Sequence, residues 1–134
     1  LFSEPPINLL PGRISAAEVS FAGFAHFPSN VDLQGVPDGD YRFGVRPSHI
    51  SLVPTHDDDL ELAVIVELAE ISGSETFLHV RSEHFSLVMH LPGVHDYAVD
   101  AAIPVYIPTH KLFVFDALDG RLIQAPGQRL ARVA

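Results

Sequence analysis

The 134 residues carry 17 acidic against 8 basic side chains, a net charge of −9, and no cysteine. That balance argues against a nucleic-acid backbone as partner, which needs clustered Lys and Arg, and the missing thiols exclude disulfides and thiolate metal sites and fit a reducing compartment. The longest apolar run, Leu62 to Val66, falls far short of the ~18 residues of a membrane span, so the sequence reads as a soluble chain of one domain's length. It starts at Leu1 with neither initiator methionine nor signal-like segment, and the expectation is a piece of a longer polypeptide.

In chain order, residues 1–12 hold three of the eleven prolines. Fixed φ values and missing N–H donors disfavour a helix or central strand there, which predicts a linker packed along the surface. Ile14, Val19 and Phe21 give a weak strand pattern that continues to Phe27 around a bend at Gly23, and Pro28-Ser29-Asn30 and Pro37-Asp38-Gly39-Asp40 are turn chemistry. Tyr41 to Val45 predicts a short strand, broken at Arg46 because the residue before Pro47 is pushed out of the helical region. Ser48 to Val53 fits one helical turn or a brief strand, and His56-Asp57-Asp58-Asp59 an exposed connection.

The strongest pattern follows. Leu60, Leu62, Val64, Val66 and Leu68 fall on one face, with Glu61, Ala63, Ile65 and Glu67 on the other, the period of a half-buried strand. Gly73, within Ser72-Gly73-Ser74, can take a positive φ and reverse the chain into a strand ending at Val80 and Arg81. A second hairpin turning at Ser82-Glu83 sets Arg81 against His84, Val80 against Phe85, Leu78 against Leu87, Thr76 against Met89 and Glu75 against His90. Ser-Glu is not a favoured two-residue turn, which leaves a longer loop open. Leu91-Pro92-Gly93 ends that strand. Ile103, Val105 and Ile107 point inward from another, in which Pro104 marks an edge or a bulge. Thr109-His110-Lys111 turns the chain into Leu112 to Asp116, Asp119-Gly120 reverses it into Arg121 to Gln124, and Arg129 and Arg132 leave a slightly basic tail over 125–134. Many short strands between Gly, Pro and Asp turns predict an all-β barrel or sandwich.

Candidate chemistry is sparse. No Gly-x-x-x-x-Gly-Lys-Ser/Thr segment occurs, so nothing here is built to cradle nucleotide phosphates, and this chain is not expected to hydrolyse ATP. His79, His84 and His90 fall on the face opposite Leu78 and Leu87 but lack the short spacing that converges three or four ligands at ~2.0–2.2 Å on one ion. They read as solvated strand histidines, with His90 set to pair with Glu75. Ser72 and Ser74 lack a nucleophile elbow. Arg46, beside Pro47 and His49, can hold a carboxylate bidentately, with a structural anchor as the plainer reading. Glu67 and Glu70, before the Gly73 turn, are placed to contact a partner subunit or simply to face solvent. No catalytic, cofactor or metal residue is expected.

Four segments in order carry a resemblance. Ile65 to Val80 around Gly73, Pro5-Pro6-Ile7-Asn8-Leu9-Leu10-Pro11-Gly12, Gly44-Val45-Arg46-Pro47-Ser48-His49-Ile50, and Ile107 to Asp116 with Asp119-Gly120 together resemble the carboxy-terminal regulatory domain, TOBE or MOP-like, of ATP-binding subunits from sugar and glycerol-phosphate ABC importers. Ser48 departs from the acid usual after the Arg-Pro pair. The resemblance implies an all-β, OB-fold-like or MOP-type barrel over 13–124, a linker over 1–12 from a preceding nucleotide-binding domain, and a tail over 125–134. It also implies a positional role. The barrel would pair with a second copy and restrain two ATPase domains, which themselves bind ATP and Mg and meet the permease subunits, on the cytoplasmic face of the membrane. An inhibitory regulatory protein is a further implied partner; nucleic acid and direct membrane insertion are not. The alternative is a MOP-like barrel binding a small oxyanion between subunits, and a third reading makes the hairpin histidines an enzyme site.

Overall fold

The computed structural model describes residues 6–16, 18–21, 25–28 (backbone only) and 36–126. Ten strands make up the described secondary structure, with two single turns of 3-10 helix at Pro47–His49 and Thr109–Lys111. The all-β, OB-fold-like expectation holds. The strands are β1 (Asn8–Ser15), β2 (Glu18–Phe21), β3 (Ala25–Pro28), β4 (Gly39–Val45), β5 (Leu60–Ser72), β6 (Glu75–Arg81), β7 (Ser86–Pro92), β8 (Ala102–Ile107), β9 (Phe113–Asp116) and β10 (Leu122–Gln124). They form a six-stranded sheet ordered β10-β9-β4-β1-β2-β3 and a four-stranded sheet ordered β7-β6-β5-β8. The chain divides into two compact units, one of Leu1–Asn8 with Val45–Pro108, the other of Leu9–Gly44 with Thr109–Ala134.

The second of these units corrects the linker expectation. From Asn8 onward the chain is β1, with β4 and β2 as its neighbours, and the expected boundary at residue 12 falls inside it. The prolines hid an ordinary strand alternation: Leu10 and Ile14 are buried while Leu9, Pro11 and Arg13 face out. Gly12 belongs to the inward set, and its missing side chain has a reason. A Cβ there would sit 2.6 Å from Cε2 of Phe43 and 3.0 Å from Cδ1 of Phe21. Those two buried rings meet edge to face, centroids 5.2 Å apart, in the geometry aromatic pairs prefer. The Gly23 bend and Ser29-Asn30 lie outside the described residues, as does the tail from 127.

In the other unit, β5 follows its predicted pattern from Leu60 to Val66, with Leu60, Leu62, Val64 and Val66 buried. Leu68 departs from it and is 48% exposed. The cause is a register shift against β6: Val66 opposes Val80, yet Leu68 opposes His79, so Glu67 is an extra residue that turns the following side chains over. Gly73 reverses the chain at φ 62° in a two-residue turn closed by the pair Ser72–Glu75. The β6–β7 register differs from expectation by two residues, with Arg81 opposite Ser86, Val80 opposite Leu87 and Leu78 opposite Met89. Ser82 to Phe85 form a longer loop, in which the Ser82 N–H donates to the Phe85 carbonyl and the His84 N–H to the Ser82 hydroxyl. An even shift keeps each side chain on its expected face, which is why periodicity alone could not see it. His84 moves from the strand into that loop.

Two edges of this sheet are closed. On β7, the Asn8 amide donates to the Val88 carbonyl at 2.9 Å and accepts the Val88 N–H at 2.8 Å, with a further bond to the Val45 carbonyl at 3.3 Å. One side chain thus stands in for a neighbouring strand. On β8, Tyr106 exchanges backbone bonds with Ser51. Tyr106 therefore faces away from β5, and alternation puts Pro104 in the same outward phase, where a missing donor breaks no ladder bond.

Two substitutions check this account by urea denaturation. Gly12→Ala should lower the midpoint at unchanged slope, an overpacking cost of about 1–3 kcal/mol. Asn8→Ala should cost about 1–3 kcal/mol by stranding the Val88 N–H and two carbonyls.

Candidate functional site

The residues singled out in the sequence separate by element. Gly44 is buried in β4 opposite Phe113. Arg46 is exposed and extended, at φ −69° and ψ 142°, as its proline neighbour requires. Its carbonyl accepts the His49 N–H at 2.9 Å, which closes the 3-10 turn. Pro47 is buried at the start of that turn and His49 is half-buried at its end. Arg46-Pro47-Ser48-His49 is thus an anchored corner between Val45 and Ile50, both buried.

Glu67 and Glu75 lie on the β5–β6–β7 hairpins, and these hairpins concentrate the polar pairing of their unit. Arg81 Nε lies 3.5 Å from Glu67 Oε2, and its Nη2 lies 3.5 Å from Asp100 Oδ1. One guanidinium therefore spans the Glu67 bulge and the segment entering β8. His79 Nε2 meets Glu70, and His90 Nε2 meets Glu75 at 3.0 Å, as the sequence suggested for the latter. Phe77 stacks on the His90 ring, centroids 4.7 Å apart. By register, Leu68 with His79 and Glu70 with Phe77 and His90 make successive cross-strand rows on the side away from buried Leu78 and Met89. Surface ion pairs of this kind contribute about 0–1 kcal/mol each. Together these pairs leave a face of mixed apolar and paired polar character.

The described residues offer no convergent catalytic set. They contain no group of three or more His, Asp or Glu arranged to hold a metal. The two strand histidines are each engaged with a different glutamate. A groove of about 510 Å3 runs along Ala63, Ile65, Ala102 and Pro104 and ends at Arg81. Two carboxylates already hold that arginine. In the other unit Arg13 is likewise bound to Asp40 at 3.0 Å. No helix among the described residues is long and apolar enough to cross a membrane.

Sequence reasoning missed two buried polar side chains. The Thr76 hydroxyl, fully buried, donates to the Gly93 carbonyl and accepts the His95 N–H, both at 2.9 Å, so it pins the segment leaving β7. Asp59, with its side chain only 2% exposed, accepts the Thr55 and His56 N–H groups and the Thr55 hydroxyl on one carboxylate oxygen. Burial pushes its pKa up, but the N–H bonds of Thr55 and His56, the Thr55 hydroxyl and the nearby His56 ring outweigh that, and the net shift is downward. In the acidic run the sequence suggested only an exposed connection; the local turn chemistry of Thr55 with Asp59 was the available cue.

The chain is thus an OB-like all-β scaffold whose Arg13, Arg81, His79 and His90 are engaged in side-chain pairs. Residues 43–115 match the TOBE domain family, and the chain belongs to it. Among curated proteins it is similar to the sn-glycerol-3-phosphate import ATP-binding protein UgpC of Paraburkholderia xenovorans, at 30% identity over 126 residues, covering 88% of this chain and 34% of that protein. It is also similar to UgpC of Salmonella typhimurium, at 29% over 122 residues (90% and 34%), and to UgpC 3 of Rhizobium etli, at 30% over 120 residues (88% and 32%). The chain spans about a third of the length of these relatives.

Because the Asp59 pKa is depressed, its contribution to stability is present above the ordinary carboxyl value of 3.8 and lost as pH falls through its lower folded value. Asp59→Asn should therefore unfold more easily than the parent at pH 7, and the gap in urea midpoints should close below about pH 4.

Proposed function

We propose that this chain is the accessory regulatory and dimerisation domain of an ATP-binding subunit of an ABC importer for a carbohydrate or glycerol-phosphate. The observation that carries the reading is membership of the TOBE family together with similarity to about a third of several import ATP-binding proteins. ATP, Mg and the permease contacts belong in this reading to a separate ATPase domain, and the whole complex works at the cytoplasmic face of the membrane. The domain's own part is mechanical: it pairs with a second copy and limits how two motor domains separate, with the β5–β7 hairpins and the Arg46–His49 corner as surfaces open to a regulatory protein.

Several features support a positional role over the alternatives. Arg13 and Arg81 are each spent on carboxylates, which leaves them poor anchors for a small oxyanion. His79 and His90 are engaged with separate glutamates, which disfavours a shared catalytic centre.

The coding sequence upstream of Leu1 provides the first test, and a Gly-x-x-x-x-Gly-Lys-Ser/Thr segment opening a helix is the expected result; an unrelated catalytic domain would overturn the reading. Deleting the 134 residues from that parent chain should then leave ATP hydrolysis measurable while changing its regulation in the assembled transporter. Loss of nucleotide turnover from a folded remainder would show a catalytic part for this domain and sink the positional role.

A further inference from the structure

The four-stranded sheet manages two of its edges, β7 through Asn8 and β8 through Ser51 and Pro104. A third remains. β8 pairs with β5 only from Leu60 to Ile65, and the last bonds on that side are the Val66 N–H to the Ala101 carbonyl at 2.9 Å and the Asp100 N–H to the Val66 carbonyl at 2.8 Å. Past Val66, β5 runs on to Ser72 with β6 as its sole strand partner among the described residues.

The direction of the backbone groups on this free stretch follows from the turn. In a two-residue hairpin the closing pair exchanges both of its hydrogen bonds, so Ser72 faces β6, as does Glu70 by alternation. Ala69 and Ile71 therefore turn their N–H and C=O groups away from β6. Their side chains share the face of Leu78 and Thr76, their cross-strand partners, both fully buried. Ile71 is nevertheless 46% exposed, and no strand among the described residues lies beside it on that side.

We propose that this edge pairs antiparallel with the same edge of a second copy, Ala69 of each chain opposite Ile71 of the other; the proposal rests on the pairing assigned above and names its surface. The register uses every outward donor and acceptor of both chains across Ala69 and Ile71. It lays each Ile71 side chain over the partner's Ala69, extending the apolar face of the sheet. It also brings the two Glu70 residues face to face on the opposite side. Each Glu70 already hydrogen-bonds its own His79, so each carboxylate enters the interface with a partner from its own chain. One self-complementary patch repeated about a two-fold axis gives a closed dimer.

Sedimentation velocity over a concentration series, combined with residue-resolved amide exchange on the 134-residue chain, tests this. The expected result is a concentration-dependent dimer in which the Ala69 and Ile71 amides exchange at least about tenfold more slowly than in dilute monomer. Ile71→Pro removes only an outward donor and spares the β5–β6 ladder, so it should weaken pairing about tenfold or more with an unchanged circular dichroism spectrum. Ala69→Lys gives a second variant with the same expectation should the proline variant not fold. A dimer whose Ala69 and Ile71 amides exchange as fast as the monomer's would overturn the edge assignment and leave the pairing reading standing. A chain that stays monomeric to millimolar concentration would overturn both.

Discussion

β5 is the constraint from which the larger unit is built. Its first half hydrogen-bonds β8 on one side and carries the buried row Leu60, Leu62, Val64 and Val66. Its second half forms the β5–β6 hairpin around Gly73. A thirteen-residue strand that kept one face inward throughout would bury Leu68 and expose Ala69 beside Leu78. The extra residue at Glu67 prevents this, and Arg81 braces it by reaching both Glu67 and Asp100. Bulges bend a strand and increase its twist. Here the bulge falls where β8 stops pairing, so the strand changes partners and phase within a few residues.

The smaller unit is governed by a different economy of space. Phe21 and Phe43 pack edge to face, and the strand between β4 and β2 can pass them because it presents Gly12. Cores at native density have no room for even one additional methyl at such a contact. The glycine is therefore explained by what surrounds it rather than by its backbone freedom.

Much of this was legible in the sequence wherever a physical rule acts locally. The Gly73 and Asp119-Gly120 reversals, the extended Arg46 before Pro47, the inward row of β5 to Val66 and the edge position of Pro104 all follow from φ restrictions, period-two burial and the missing proline donor. What stayed hidden depends on partners distant in sequence. Asn8 matters because Val88, eighty residues away, needs a donor and an acceptor. The Glu67 bulge is defined only against β6. The β6–β7 register was off by two residues because an even slip leaves every side chain on its own face. Asp59 looked like one more exposed acid, since its cage is made of backbone N–H groups that composition does not reveal. The candidate site was legible only in part: the Glu75–His90 contact was expected from a register in which the two face each other, whereas His90 lies opposite Phe77 and reaches Glu75 diagonally, and the Glu70–His79 contact depends on the bulge that turns Glu70 onto the His79 side.

Pro104 has a consequence for how material can be added to this fold. A sheet lengthens when an incoming backbone finds donors and acceptors in alternating order, and at the β8 margin that order is interrupted by an imide nitrogen beside a residue already bridged to Ser51. With Asn8 occupying the β7 margin, propagation in either of those directions halts at the first step. The four-stranded sheet can thus leave backbone groups free near Gly73 while these two margins stay interrupted.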